Sequence, residues 1–230
     1  MSALICLVNQ TLPYTLVTLA GTLDDSSAVK AAISLRECLS AQPVALVIDA
    51  SHVGVTGRRT EAWLLRFGEE AAAWPGSPIL LYDPRKTMPQ LAAQRFDALD
   101  EAVRAATGLP LPPRVDVVLP PVATSCATAR VLVRDTFEAW DRGRYARLGE
   151  LLISEMVANG VVHARTEMWV CLRDSGSLSL SVGDGDPRQV SLDPEERGNG
   201  LEIVAGLADN WGCMPTTTGK VVWASIGTGS

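Results

Sequence analysis

The chain has 230 residues, 47% hydrophobic and 20% charged, enough for one large domain or two small ones that each bury a core. Its 20 Lys and Arg stand against 26 Asp and Glu, a net charge of −6 with no basic tract, which argues against nucleic-acid binding driven by phosphate charge. No apolar run reaches the roughly 18 residues needed to span a bilayer, and no basic residue precedes Lys30, so a soluble cytoplasmic chain without membrane contact or signal segment is expected. Five scattered cysteines and two histidines fit neither a disulfide framework nor a zinc knuckle and read as small buried thiols.

In chain order, ALICLV and YTLVTLA read as strands split by Asn9, Gln10 and Pro13, with Gly21 ending the second. Ala28, Ala31, Ala32, Leu35 and Leu39 then recur at helical spacing behind Asp24, Asp25 and Ser26, all candidate N-caps. PVALVID reads as a buried parallel strand, residues 60–73 as a helix, SPILLY as a strand and DALDEAVRAATG as a helix stopped by Gly108 and Pro110. This order predicts a mixed sheet with helices packed on it. Residues 108–121 hold five of the 14 prolines and read as an extended connector with one short strand, the best domain boundary.

ALVIDASHVGV, the helix and SPILLY after it, and RFDALDEAVRAA together resemble the STAS domain of anti-anti-sigma factors, over residues 3–107. The resemblance implies a strand ending in Asp, a loop with a phosphorylatable Ser at the start of the next helix, and a closing helix behind a short Phe-containing strand. Aligned on Asp49 and Ser51, the family's Ser-Ser pair falls on Arg58 and Arg59, so the phosphoacceptor is missing. Thr56 and Thr60 flank the gap, as substitute acceptors or as plain loop and N-cap threonines. The helix before RFDALDE is expected to shrink to PRKTMPQLAAQ.

Residues 124–141 place Ala127, Val131, Phe137 and Trp140 near one helical face. In a second helix, 146–163, Glu155, Asn159 and His163 fall on one stripe, either solvated or facing a ligand. A carboxylate can take a proton from a hydroxyl, and an amide oxygen one turn away can complete the shell of a phosphate-bound Mg²⁺. Strands MWVCLRD and SLSLSVGD follow, closing on Asp184-Gly185-Asp186-Pro187. The charged segment RQVSLDPEER reads as a mobile loop. Gly198 and Gly200 stand before the helix LEIVAGLADNWG, a weak phosphate-cradle signal when taken alone. Gly219-Lys220 is not a P-loop, since Val221 stands where Ser or Thr must bind Mg²⁺. There is no GxSxG motif.

Taken in order, SEMVANGVVHA, VGDGDP, RGNGLEIVAGLADNWG and TGKVVWASI resemble the signature boxes of the GHKL ATPase fold. More narrowly they resemble the anti-sigma-factor serine/threonine kinases of high-GC Gram-positive bacteria, whose ARxxVRDxxxxW helix pattern is matched by Ala129, Arg130, Val133, Arg134, Asp135 and Trp140. The resemblance implies ATP and Mg²⁺ as cofactors, Glu155 as general base, Asn159 as Mg²⁺ ligand and Asp184 as acceptor for the adenine amino group. It places Gly198 and Gly200 in a lid over the phosphates and adds Gly185, Arg197, Leu201 and Lys220 to the nucleotide site. His163 borders the phosphates or caps the helix C-terminus. The family's Gly-Gly-Arg-Gly box departs here to Arg197-Gly198-Asn199-Gly200, and its Thr after Gly-Lys is Val221, changes that affect phosphoryl transfer more than binding.

The expectation is therefore an α/β (α+β) chain. A STAS-like mixed sheet at 1–107 lacks the acceptor serine, a linker covers 108–114, and a GHKL (Bergerat) α/β sandwich spans 115–230. Its function would be a protein kinase that phosphorylates or sequesters a STAS-type or sigma-factor partner. The alternative is an inactive ATP-dependent binding switch whose fused STAS-like domain is a pseudo-antagonist or dimerisation module. A homodimer is left open.

Overall fold

The computed structural model describes residues 3–11, 13–88, 91, 93–188 and 199–228. The chain is mixed α/β, with two five-stranded sheets and six α-helices among the described residues, and it divides into compact units at 1–111 and 112–230.

In the first unit β1 (Ile5–Thr11) and β2 (Tyr14–Leu23) form an antiparallel hairpin. β3 (Leu46–Val55), β4 (Ile79–Tyr82) and β5 (Gln94–Phe96) continue from it in parallel, so the sheet order is β1-β2-β3-β4-β5. The period-2 alternation splits the sheet into two faces. Val47 and Leu80, with Tyr14, Leu16 and Phe96 beside them, pack on α3 (Leu99–Thr107) through Ala102 and Ala106. On the other face Val17, Leu19, Leu46, Ile48, Ile79 and Leu81 are buried. Cys6, which pairs with Leu19, shares a cleft there with Lys30, Ala31 and Ser34 of α1 (Ala28–Ser40). α1 packs on α2 (Arg58–Ala73), tied by Arg36 to Glu70 at 2.6 Å.

Three local expectations change. Gly21 lies inside β2 at φ +103°, where a side chain would strike the Ala3 carbonyl oxygen, so the glycine lets the strand run on to Leu23. β3 continues six residues past Asp49, held by pairing of His52, Val53, Gly54 and Val55 with Ala20 to Leu23. The segment expected as a short helix forms turns at 84 and 85, with 89, 90 and 92 outside the described residues.

In the second unit β6 (Arg114–Leu119), β7 (Met168–Asp174), β8 (Ser177–Asp184), β9 (Asn210–Pro215) and β10 (Lys220–Gly227) make an antiparallel sheet in the order β6-β7-β8-β10-β9. α5 (Ala146–Asn159) lies on β8 and β10, flanked by α4 (Thr124–Ala139) and α6 (Asn199–Leu207). Leu152, Ile153, Met156 and Val157 of α5 meet Leu178, Leu180, Val182, Val222 and Ala224 of the sheet in one core. The face of α4 holds at Phe137, which is buried, and at Trp140, which packs against the core, and differs at Ala127, which is exposed, and Val131, 47% exposed, in whose place Ala129 and Val133 are buried. Gly149 explains this, because a Cβ there would lie 2.7 Å from Phe137 and 2.8 Å from Val133, so the two helices touch closely along that line.

Candidate functional site

The site forms where α5 ends. Leu152, Ile153, Met156 and Val157 take the core side of this helix, which leaves Glu155 and Asn159 half-buried along its flank. After Asn159 the helix widens into a π-helical turn, Gly160–Ala164. Gly160 is pressed against the Met168 thioether, in the space a Cβ would need. The turn ends at Arg165 in the left-handed region (φ +57°), whose N–H donates to the Gly160 carbonyl at 2.9 Å. Such turns recur at functional sites, and this one carries His163 at an exposed position.

Glu155, Ala158, Asn159, Val162 and His163 line one side of a cleft of about 200 Å³, and Gly200 and Leu201 line the other. The structure thus brings five of the residues singled out in the sequence around one space. Gly200 lies in the first turn of α6, and a Cβ on it would come 2.7 Å from Glu155 Oε2. A glycine therefore allows the carboxylate to reach the helix entry. Asn199 starts α6, and Arg197 and Gly198, together with the loop expected from RQVSLDPEER beyond Arg188, lie outside the described residues.

Asp184, Gly185 and Lys220 are brought together in a neighbouring polar cluster rather than in the lining of that cleft. Lys220, at the start of β10, is 4% exposed and donates to Asp184 Oδ1 at 2.9 Å and to the Asp186 carbonyl at 3.1 Å. The Asp186 N–H donates to the same Asp184 oxygen at 2.9 Å. Gly219 sits so close to the Asp184 carbonyl that no side chain fits, which fixes the β9–β10 turn over this strand end. Gly185 donates its N–H to Thr166 Oγ1 at 2.8 Å.

Arg188 joins the two clusters. Its guanidinium donates to both Asp186 oxygens at 2.9 and 3.0 Å and to the His163 carbonyl at 2.8 Å. Hydrogen bonds from the Arg188 side chain, then from its backbone, with Lys220 nearby, hold the Asp186 carboxyl well below the ordinary range. Thr166, Asp186 and Arg188 are site residues that the sequence motifs do not assign. Asp186 stood in the Asp-Gly-Asp motif, whereas nothing local to Thr166 or Arg188 signals a partner 19 or 25 residues away.

In the first unit, Arg58 and Arg59 are exposed in the first turn of α2. Thr60 is fully buried, and both its N–H and its hydroxyl donate to Asp25 Oδ1 at 2.9 Å, which leaves it no role as an acceptor of modification. Thr56 is exposed just before the helix.

No family model matches this sequence, and neither does any curated protein. Solved structures share likeness with it. An anti-sigma factor antagonist from Mycobacterium paratuberculosis is 21% identical, with 46% of this chain and 95% of that chain covered at a TM-score of 0.38. The anti-sigma factor antagonist SpoIIAA in its unphosphorylated form is 17% identical, with 46% and 100% covered at 0.38. The RsbU and RsbW domains of a Mycobacterium tuberculosis protein are 18% identical, with 50% and 32% covered at 0.39.

Proposed function

We propose that the second unit binds Mg-ATP and acts as a serine/threonine kinase on a STAS-type antagonist, within a partner-switching system that includes a sigma factor. The observation that carries this reading is the meeting of Glu155, Asn159 and Gly200 at one cleft from two separate helices. The donor set fits the group. No cluster of three or more His, Cys, Asp or Glu among the described residues forms an all-protein metal cage. Mg²⁺ characteristically takes one or two protein oxygens with phosphates and waters, and the Asn159 side-chain oxygen suits that role. The cleft is smaller than the roughly 300–1,000 Å³ that encloses a whole small ligand, which suits a phosphate tail. Asp184, held by Lys220 at the strand end, would receive the adenine amino group, with Gly185 beside it. Gly200 and Leu201 would border the phosphates, as would Arg197 and Gly198.

Mg-ATP supplies the transferable phosphoryl group. Glu155 would accept the proton of the incoming hydroxyl, so its removal should slow transfer by roughly 10²–10⁴-fold and leave nucleotide bound. Asn159→Ala should weaken binding in Mg²⁺ specifically. Incubating the chain with γ-labelled ATP and a STAS-type protein tests the first, with label on the partner, lost in Glu155→Ala, as the expected result, and titration calorimetry with and without Mg²⁺ tests the second. Absence of ATP binding by titration calorimetry would overturn the reading.

A second reading, a binding switch without kinase output, draws on the first unit. There the Asp25 carboxylate closes the α2 N-terminus and arginines replace the serine pair. Under it, ATP binds with unchanged affinity and no label is transferred, while partner capture depends on nucleotide.

A further inference from the structure

We propose that β1 is a self-association edge, pairing antiparallel with the β1 strand of a second copy of this chain. Among the described residues β1 ends the five-stranded sheet, paired with β2 on one side. In an antiparallel pair, alternate residues turn their backbone N–H and C=O outward, and an edge of that kind is completed by another strand. Folded proteins guard such edges with Lys, Pro or short length, and β1 has none of these. It is seven residues long, and the chain carries no charged residue before Asp24.

The side chains point the same way. α3 packs chiefly on β3, β4 and β5, with Tyr14 and Leu16 of β2 beside it. Ile5 and Leu7, which pair with Ala20 and Thr18 on that same sheet face, remain 53% and 62% exposed, and Val8 on the opposite face is 44% exposed. Every copy carries a net charge of −6, so two copies repel wherever acidic surfaces meet. The hairpin strands themselves carry no charged side chain, so two copies pair along β1 without setting like charges on the strands against each other, with Lys30 and Asp24 bordering Cys6 on one face only.

A two-fold axis at Val8, the midpoint of Ile5–Thr11, gives the longest overlap. Cys6 then faces the second copy's strand at position 10, and the two Leu7 side chains become diagonal neighbours on one face, within roughly 7–8 Å. The two sheets join into one of ten strands. A single short strand pair with a few apolar side chains is a small interface, so the dimer is concentration-dependent rather than obligate.

Sedimentation equilibrium of the full chain over a concentration series tests this, with Leu7→Lys as the edge variant. The expected result is reversible dimerisation, weakened about tenfold or more by Leu7→Lys with the thermal midpoint unchanged. Val8→Cys in a Cys6→Ser background should oxidise to a disulfide-linked dimer, because paired Cα atoms about 5.5 Å apart lie within disulfide reach. Val131→Cys, exposed on the other unit, should not. A chain monomeric at every concentration overturns the proposal. So does a dimer unaffected by Leu7→Lys and not captured at position 8. A monomer whose β1 binds a different protein in a Leu7-dependent way assigns the edge to that protein and overturns it equally.

Discussion

Asp25 shows how a single side chain can decide the state of a helix entry. Its Oδ1 accepts two hydrogen bonds from Thr60, and that oxygen also lies 2.6 Å from where a Cβ on Gly57 would stand. The Asp25 carboxylate therefore occupies the α2 N-terminus, where a phosphate would otherwise be stabilised. Asp25→Ala should strip the buried Thr60 hydroxyl and N–H of their acceptor and cost about 1–3 kcal/mol in chemical denaturation. Asp25→Asn, which keeps an acceptor oxygen, should cost less. Equal stability of wild type and Asp25→Ala would mean that this cap contributes nothing. In the sequence Asp25 reads as a cap for its own helix, because its neighbours suggest that, and its real partner lies 35 residues on. Glu155 and Gly200 were each legible, one from a helical stripe and one from a helix entry. Their contact belongs to the packing of α5 on α6, which no local pattern records.

Strands are legible in the sequence where alternation or an unbroken apolar run sets them. MWVCLRD and SLSLSVGD coincide with β7 and β8. Helix faces were harder. Ala127 and Val131 are apolar and exposed, so counting apolar positions misplaces the first half of α4's buried face while Phe137 and Trp140 lie on it, and the close approach at Gly149 accounts for Val133 being buried. The π turn at Gly160 is likewise invisible in composition, where nothing marks the approach of Met168 to that glycine.

The turn leading into α1 yields a pH prediction. Asp24 Oδ1 accepts from the Ser26 hydroxyl at 2.7 Å, the Ser27 N–H at 2.9 Å, the Ser27 hydroxyl at 3.0 Å and the Ser26 N–H at 3.0 Å. These bonds, led by that from the Ser26 hydroxyl, pull its pKa from 3.8 down to about 2. A carboxyl depressed on folding stabilises the fold above its unfolded pKa and loses that contribution as pH falls through the folded one. The stability gap between wild type and Asp24→Ala should thus be constant above about pH 5 and shrink between pH 4 and 2, measured by urea midpoints. A gap that stays constant down to pH 2 would contradict this titration.

At the scale of the molecule, the proline-rich stretch marks a change of architecture, from a mostly parallel sheet before it to a wholly antiparallel one after it. The second unit has its own core: twenty buried residues among those described, from Leu119 to Ile226, drawn from α4, α5, α6 and the sheet around them. Every candidate nucleotide residue, from Glu155 to Lys220, also lies within it. A fragment of residues 112–230 is therefore expected to fold alone. At about 120 residues it should unfold in one cooperative calorimetric transition with an enthalpy of roughly 80 kcal/mol. It should bind Mg-ATP with the affinity of the full chain. A broad, non-cooperative melt with dye-binding apolar surface would show that this core does not suffice for a native state. Cooperative folding with lost nucleotide affinity would instead show that the first 111 residues complete the site.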